Sequence, residues 1–163
     1  MTPQTVARPT FEELRVGDRL PGLVRGPMSA AHLMRWSAAT ENWHRIHYDH
    51  PYATQVEQLP GLLVSGNFKQ QLLTELVAGW LRPDGWPVSV SFEFRKMNVQ
   101  DDTLTAWGEV TALRTWERYG IVVCDIGIVD GAGNESTPGR AVGIVPLAGG
   151  PAVPHPFDLG VPR

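Results

Sequence analysis

The apolar residues of this chain change their period sharply at Gly85. Before it, Phe68, Leu72, Leu73, Leu76, Val77, Trp80 and Leu81 recur at the 3.6-residue spacing of a helix. Ser65 stands where a cap belongs, and Pro83-Asp84-Gly85 stops the pattern. After it, Val88, Val90, Phe92 and Phe94 alternate with Ser89, Ser91, Glu93 and Arg95, the two-residue repeat of a half-buried strand. Three more strands are predicted, over Thr103 to Leu113, Tyr119 to Val129 and Glu135 to Pro146. Short, turn-rich links separate them, Asp130-Gly131-Ala132-Gly133-Asn134 among them, so neighbouring strands are expected to be antiparallel and to meander. Upstream, Arg19 to Gly26 reads as an early strand, and Ser29 caps a first helix through Ala30, Leu33, Met34, Trp36 and Ser37 to about Thr40. One strand, two helices and then four strands is the segregated order of an α+β fold.

The chain has 163 residues, 42% of them hydrophobic, which suits one domain with a single core. That domain is expected over residues 11–147. Residues 1–10 and the tail 148–163, with Pro151, Pro154, Pro156 and Pro162, read as irregular ends. A net charge of −3 without a basic block lacks the electrostatic footprint of a nucleic-acid binder. Cys124, the only cysteine, lies in the apolar run Ile121 to Val129 and reads as a small buried hydrophobe. With no leader-like N-terminus and no apolar run of membrane-spanning length, a soluble cytoplasmic protein is the expectation.

Chemistry concentrates between the two helices. Asn42-Trp43-His44-Arg45-Ile46-His47-Tyr48-Asp49, followed by Tyr52, places two imidazoles, a carboxamide, a guanidinium and a carboxylate ahead of the helix that opens at Ser65-Gly66-Asn67. A proton-transfer group facing a helix N-terminus is what a reaction through an oxyanion requires. Metal binding is the rival for such a loop. His44, His47 and His50 are three apart, but no second cluster of Cys or Glu completes a ligand set, so no metal is expected.

Taken with Phe11-Glu12-Glu13-Leu14-Arg15-Val16-Gly17-Asp18, His47-Tyr48-Asp49, Leu59-Pro60-Gly61-Leu62-Leu63-Val64-Ser65-Gly66 and Gly108-Glu109-Val110, the chain resembles the MaoC-like acyl-thioester dehydratases, or R-specific enoyl-CoA hydratases. That family has the hot-dog fold, an antiparallel sheet wrapped around a long central helix. Its usual motif reads Asp-x-Asn-Pro-(Ile/Leu)-His-x-Asp. Aligned on His47, the motif puts Asn42 in place of the acid, His44 in place of the asparagine and Arg45 in place of the proline; Ser65-Gly66 stands where relatives commonly have His-Gly. The form His-Arg-Ile-His-Tyr-Asp is similar to the branch that includes mesaconyl-CoA hydratase-like and mitochondrial-type 3-hydroxyacyl-thioester dehydratases.

The resemblance implies addition or removal of water across a 2-enoyl or 3-hydroxyacyl thioester of CoA or an acyl carrier protein, without a cofactor. It implies His47 as general acid and base, Asn42 as holder of water or substrate, and the Gly66 amide as oxyanion donor. His44, Asp49, Tyr52 and Ser65 are the expected substrate-side residues, with Ser65 either capping the helix or turned into the pocket. Arg95 and Lys96 are placed to meet a phosphate of the carrier. A homodimer, or a pair with another hot-dog chain, is implied as well. Two alternatives stay open: a non-catalytic hot-dog subunit, suggested by Asn42, and a biosynthetic enzyme performing another elimination, a cyclisation or thioester hydrolysis.

Overall fold

The computed structural model describes residues 10–154. Its elements, in chain order, are β1 (Leu23–Arg25), α1 (Ala30–Ala39), a 3-10 turn (Arg45–His47), a π-type turn (Tyr52–Val56), α2 (Gly66–Leu81), β2 (Trp86–Phe92), β3 (Leu104–Trp116), β4 (Tyr119–Val129) and β5 (Glu135–Pro146). The irregular ends expected at 1–10 and 148–163 fall mostly outside the described residues; residues 150–154 carry no helix or strand.

All five strands form one antiparallel sheet in the order β1-β3-β4-β5-β2. α2 lies against it with the stripe anticipated from the helical period: Leu72, Leu73, Leu76, Val77 and Leu81 are all buried. Opposite them, Leu104, Ala106 and Val110 of β3, Val122, Cys124, Ile126 and Ile128 of β4, and Ala141 and Val145 of β5 supply the sheet's half of the core. Each leucine so buried contributes about 1.5–3 kcal/mol from removal of its surface from water. Gly143 lets the end of the helix come close, since a Cβ there would stand 2.7 Å from Leu81 Cδ1. β4 is central and nearly continuous in burial because a second cluster, Ile121, Ile144 and Val153 with Trp86, Trp116 and Tyr119, packs apart from the first. Bulges at Val110/Ala112 and Pro87/Ser89 add the local bend that lets a sheet curl over a helix.

The meander holds for β3, β4 and β5 but not for β2. That strand pairs with β5 at the far edge, so residues 93–103 cross the structure to reach β3 instead of forming a hairpin. Alternation identifies a strand and is silent about its neighbour, and the crossing segment satisfies its backbone on other partners. The Val64 amide donates to Asn98 O, the Gln100 amide donates to Leu62 O, and Leu63 bridges Val99. The strap therefore passes beside the start of α2. Strand β2 also ends at Phe92, earlier than the alternation suggests, and leaves Phe94 55% exposed. Among the described residues no helix is long and apolar enough to cross a membrane.

Candidate functional site

Helix α1 delivers the polar segment. Ser29 caps it by accepting from the His32 amide, and the Thr40 amide closes the last turn on Trp36 O. Beyond it, most of the polar side chains are used to build the loop. Asn42 Oδ1 accepts from the His44 amide at 3.3 Å. Arg45 pairs with Asp49 at 2.7 Å and lies 4.2 Å over the Tyr52 ring. Asp49 Oδ1 also accepts from the Tyr52 amide, and the Arg45 guanidinium holds the Asp49 carboxyl below its ordinary range. Tyr52 donates its hydroxyl to Glu57 Oε1 at 2.7 Å, a bond that pushes the phenol up.

His47 leaves this scaffold and turns inward. The sequence places it in a polar loop rather than in the core; in the structure only 8% of its surface is exposed. Residue 63 is the reason. The Leu63 amide donates to Ile46 O at 3.0 Å, and the Leu63 carbonyl lies 2.9 Å from His47 Nδ1. A carbonyl can only accept, so Nδ1 carries the hydrogen and Nε2 of the neutral ring is left with its lone pair free.

α2 begins three residues after Leu63. Ser65 occupies the cap position without a side-chain cap bond, contrary to the capping role that serine's preference suggests. Its carbonyl takes the Phe68 and Lys69 amides instead, and no backbone bond among the described residues uses the Gly66 amide. An unpaired first-turn amide with the helix dipole behind it is an anion-binding group.

His47 and Gly66 line the same cavity, about 270 Å³ in volume. Leu63 and Val64 form one wall, Lys69 of α2 lines it one turn beyond Gly66, and the strap residues Phe94, Arg95, Lys96 and Met97 cover it. Phe94 sits so near the helix start that a Cβ on Gly66 would stand 2.9 Å from Phe94 Cζ. Asn42, His44, Asp49, Tyr52 and Ser65 are not among the lining residues. The rings of His44 and His47 are 6.2 Å apart, centre to centre. A larger hollow of about 350 Å³ lies over β2 and β5, bordered by Arg95 and Arg140, and its carboxylate, Glu93, is tied to Arg95.

Lys69 is the residue that the motif search misses. It is 3% exposed, and its ammonium donates to Lys96 O at 2.9 Å and Asn98 Oδ1 at 3.2 Å, with the Phe94 ring 5.4 Å away. Burial brings it down to about 8. The signal was present: Lys69 precedes Leu72, Leu73 and Leu76 by three, four and seven positions, a cation on the apolar stripe of the central helix.

Residues 23–101, from β1 into the strap, match the family described as hydroxyacyl-thioester dehydratase type 2. Over 44 residues the chain is 57% identical to the mesaconyl-C(4)-CoA hydratase of Chloroflexus aurantiacus, a match covering 27% of this chain and 16% of that protein. The fold is similar to that of an (R)-hydratase of A. caviae involved in PHA biosynthesis, with TM-score 0.72, 25% identity, and 83% of this chain on 99% of that one. It is also similar to a Mycobacterium tuberculosis protein with a double hotdogfold, at TM-score 0.68 and 15% identity, 94% of this chain matching 47% of that chain.

Proposed function

We propose that this chain, similar over residues 23–101 to the hydroxyacyl-thioester dehydratases and in fold to the MaoC-like hydratases, adds water to 2-enoyl thioesters of CoA or a carrier protein, or removes it from the 3-hydroxyacyl forms. One observation carries this reading: His47 and the start of α2 open on one cavity. With its Nδ1 bonded to Leu63, His47 offers Nε2 to a water molecule. As the water oxygen bonds to C3, Nε2 takes its proton, and the electron pair of the double bond moves through C2 onto the thioester oxygen. The enolate oxygen is met by the Gly66 amide, whose donor is already in place and costs no reorganisation. The imidazolium then returns a proton to C2, which closes the balance as net addition of H and OH. Dehydration is the same sequence reversed.

Asn42 is read as the holder of the loop, through the His44 amide, and His47 as carrying both proton transfers. Arg95 and Lys96 at the cavity's cover suit the phosphates of the carrier. The test is turnover of 2-butenoyl-, 2-hexenoyl- and 2-octenoyl-CoA by the purified chain, followed by loss of enoyl absorbance and identification of the 3-hydroxyacyl product. No hydration of any thioester, at any protein concentration, overturns the assignment.

A second reading has its own support. β2 ends the sheet with no further strand beyond it among the described residues, and the chain matches about half of a double hot-dog protein. A second hot dog, whether a copy of this chain or a different one, would cover that edge. If the chain alone is inert but restores a catalytic hot-dog partner, it is the non-catalytic half.

A further inference from the structure

Lys69 has acceptors but no counter-charge. None of the ion pairs among the described residues includes it, and its two partners, Lys96 O and Asn98 Oδ1, are neutral. Asn98 is itself buried and fixed, since its Nδ2 donates to Asp102 Oδ2 at 3.2 Å, which turns its oxygen toward the ammonium. The arrangement is a built one: a buried cation oriented by a buried amide that a carboxylate orients in turn. An ammonium has three N–H donors and two are accounted for. The side chain lines the cavity that holds His47 and Gly66, so the third donor has the cavity's contents as its available acceptor. A buried charge without a partner is costly, and the cost falls when an anion enters.

We propose that Lys69 receives a carboxylate carried on the acyl chain, so that the preferred substrates are short 2-enoyl thioesters bearing a free carboxylate. This rests on reading the cavity as the site of hydration. The size agrees with a short acyl group. At about 30 Å³ for a water-sized group, 270 Å³ holds on the order of nine such groups. A four-carbon unsaturated acyl chain with its thioester and one carboxylate fits that count. The walls are otherwise apolar at Leu63, Val64, Phe94 and Met97, which leaves Lys69 as the buried charge to attract such a group.

The test compares isosteric pairs on the purified full chain. Fumaryl-CoA, a monothioester with a free carboxylate, is set against crotonyl-CoA for hydration, and succinyl-CoA against butyryl-CoA for binding by calorimetry, since neither of the latter has a double bond to react. The wild type is expected to favour the carboxylated member of each pair at least tenfold in kcat/KM and in Kd. Lys69→Met should cut both preferences at least tenfold, with the loss on the carboxylated substrate exceeding that on the neutral one. Near-equal handling of each pair by the wild type overturns the proposal. So does an equal loss on both substrates in Lys69→Met, which would mean that the ammonium serves the enolate or the fold. Collapse of the preference in Lys96→Met rather than Lys69→Met overturns it too. If neither unsaturated thioester is hydrated, the hydration reading fails, while a tenfold tighter grip on succinyl-CoA still carries the carboxylate receptor. Should Lys69→Met fail to fold, the wild-type pairs decide alone.

Discussion

His47 Nδ1 lies 2.9 Å from the Leu63 carbonyl, and that contact decides which nitrogen of the ring takes a proton. Asparagine can place an amide N–H close to where Nδ1–H stands while offering nothing in place of Nε2. His47→Asn should therefore keep the fold, by circular dichroism and urea midpoint, and lose on the order of a hundredfold or more in turnover, the usual cost of removing a general acid and base. Near wild-type hydration by a folded His47→Asn protein would remove His47 from the mechanism.

The Gly66 site tests the other half of the reaction. A methyl group there meets Phe94 at 2.9 Å, but that ring is 55% exposed and has room to swing. Gly66→Ala is accordingly expected to fold and to lower kcat tenfold or more with a smaller change in KM, because a displaced amide is missed most when the oxygen carries charge. In the Phe94→Ala background the same substitution should cost less. A change confined to KM in both backgrounds would place Gly66 at the substrate's periphery.

Asn42→Asp separates the loop-holding role from a catalytic one. An aspartate at position 42 keeps an oxygen for the His44 amide and, lying outside the cavity walls, should leave hydration within about threefold at neutral pH. A tenfold gain would show that the restored acid reaches the substrate, and would revive its place in proton transfer.

Much of this was legible in the residues. Tyr119–Val129 and Glu135–Pro146 follow the anticipated bounds because turn residues punctuate the apolar runs; at the β4–β5 turn Asp130 Oδ1 accepts the Ala132 and Asn134 amides. The position of β2 was not legible, since no local pattern tells a strand whether it will pair with β3 or β5. At the candidate site, the motif singles out His47 and Gly66, which line one cavity. It did not separate them from Asp49 and Tyr52, polar residues that hold the loop to itself. Ser65 shows the same limit: its identity suits a cap, yet the hydroxyl makes no cap bond.

The edge position of β2 predicts association. A strand that pairs with β5 on one side and has no further strand beyond it among the described residues is a template for another chain, and joining two such edges would continue the sheet. Light scattering of the purified protein at micromolar concentration should give twice the monomer mass. An active monomer would mean that the edge is protected in some other way.

Lys69 and Cys124 together shape the alkaline stability curve. Lys69 sits at about 8 in the fold against an ordinary 10.5, so between those values the unfolded chain holds a proton that the folded one has released, and stability rises with pH. Cys124 runs the other way. Its thiol is pushed from 9.0 to about 12 by burial first and by the neighbouring Asp125 carboxylate second, so above pH 9 the unfolded chain loses a proton that the fold retains, and stability falls. Each slope is about 1.4 kcal/mol per pH unit. Urea unfolding should therefore show a gain of roughly half that size from pH 8 to 9, where Lys69 is partway through its titration and Cys124 begins to oppose it, and a near plateau to about pH 10, where Tyr52, also raised, adds to the fall. Lys69→Met is expected to abolish the rise, and Cys124→Ala to let it continue past pH 9. A wild-type curve that falls steadily from pH 8, or a rise that survives in Lys69→Met, would show that the ammonium of Lys69 is not held at a cost by the fold, and would take with it the physical reason for an anion to settle there.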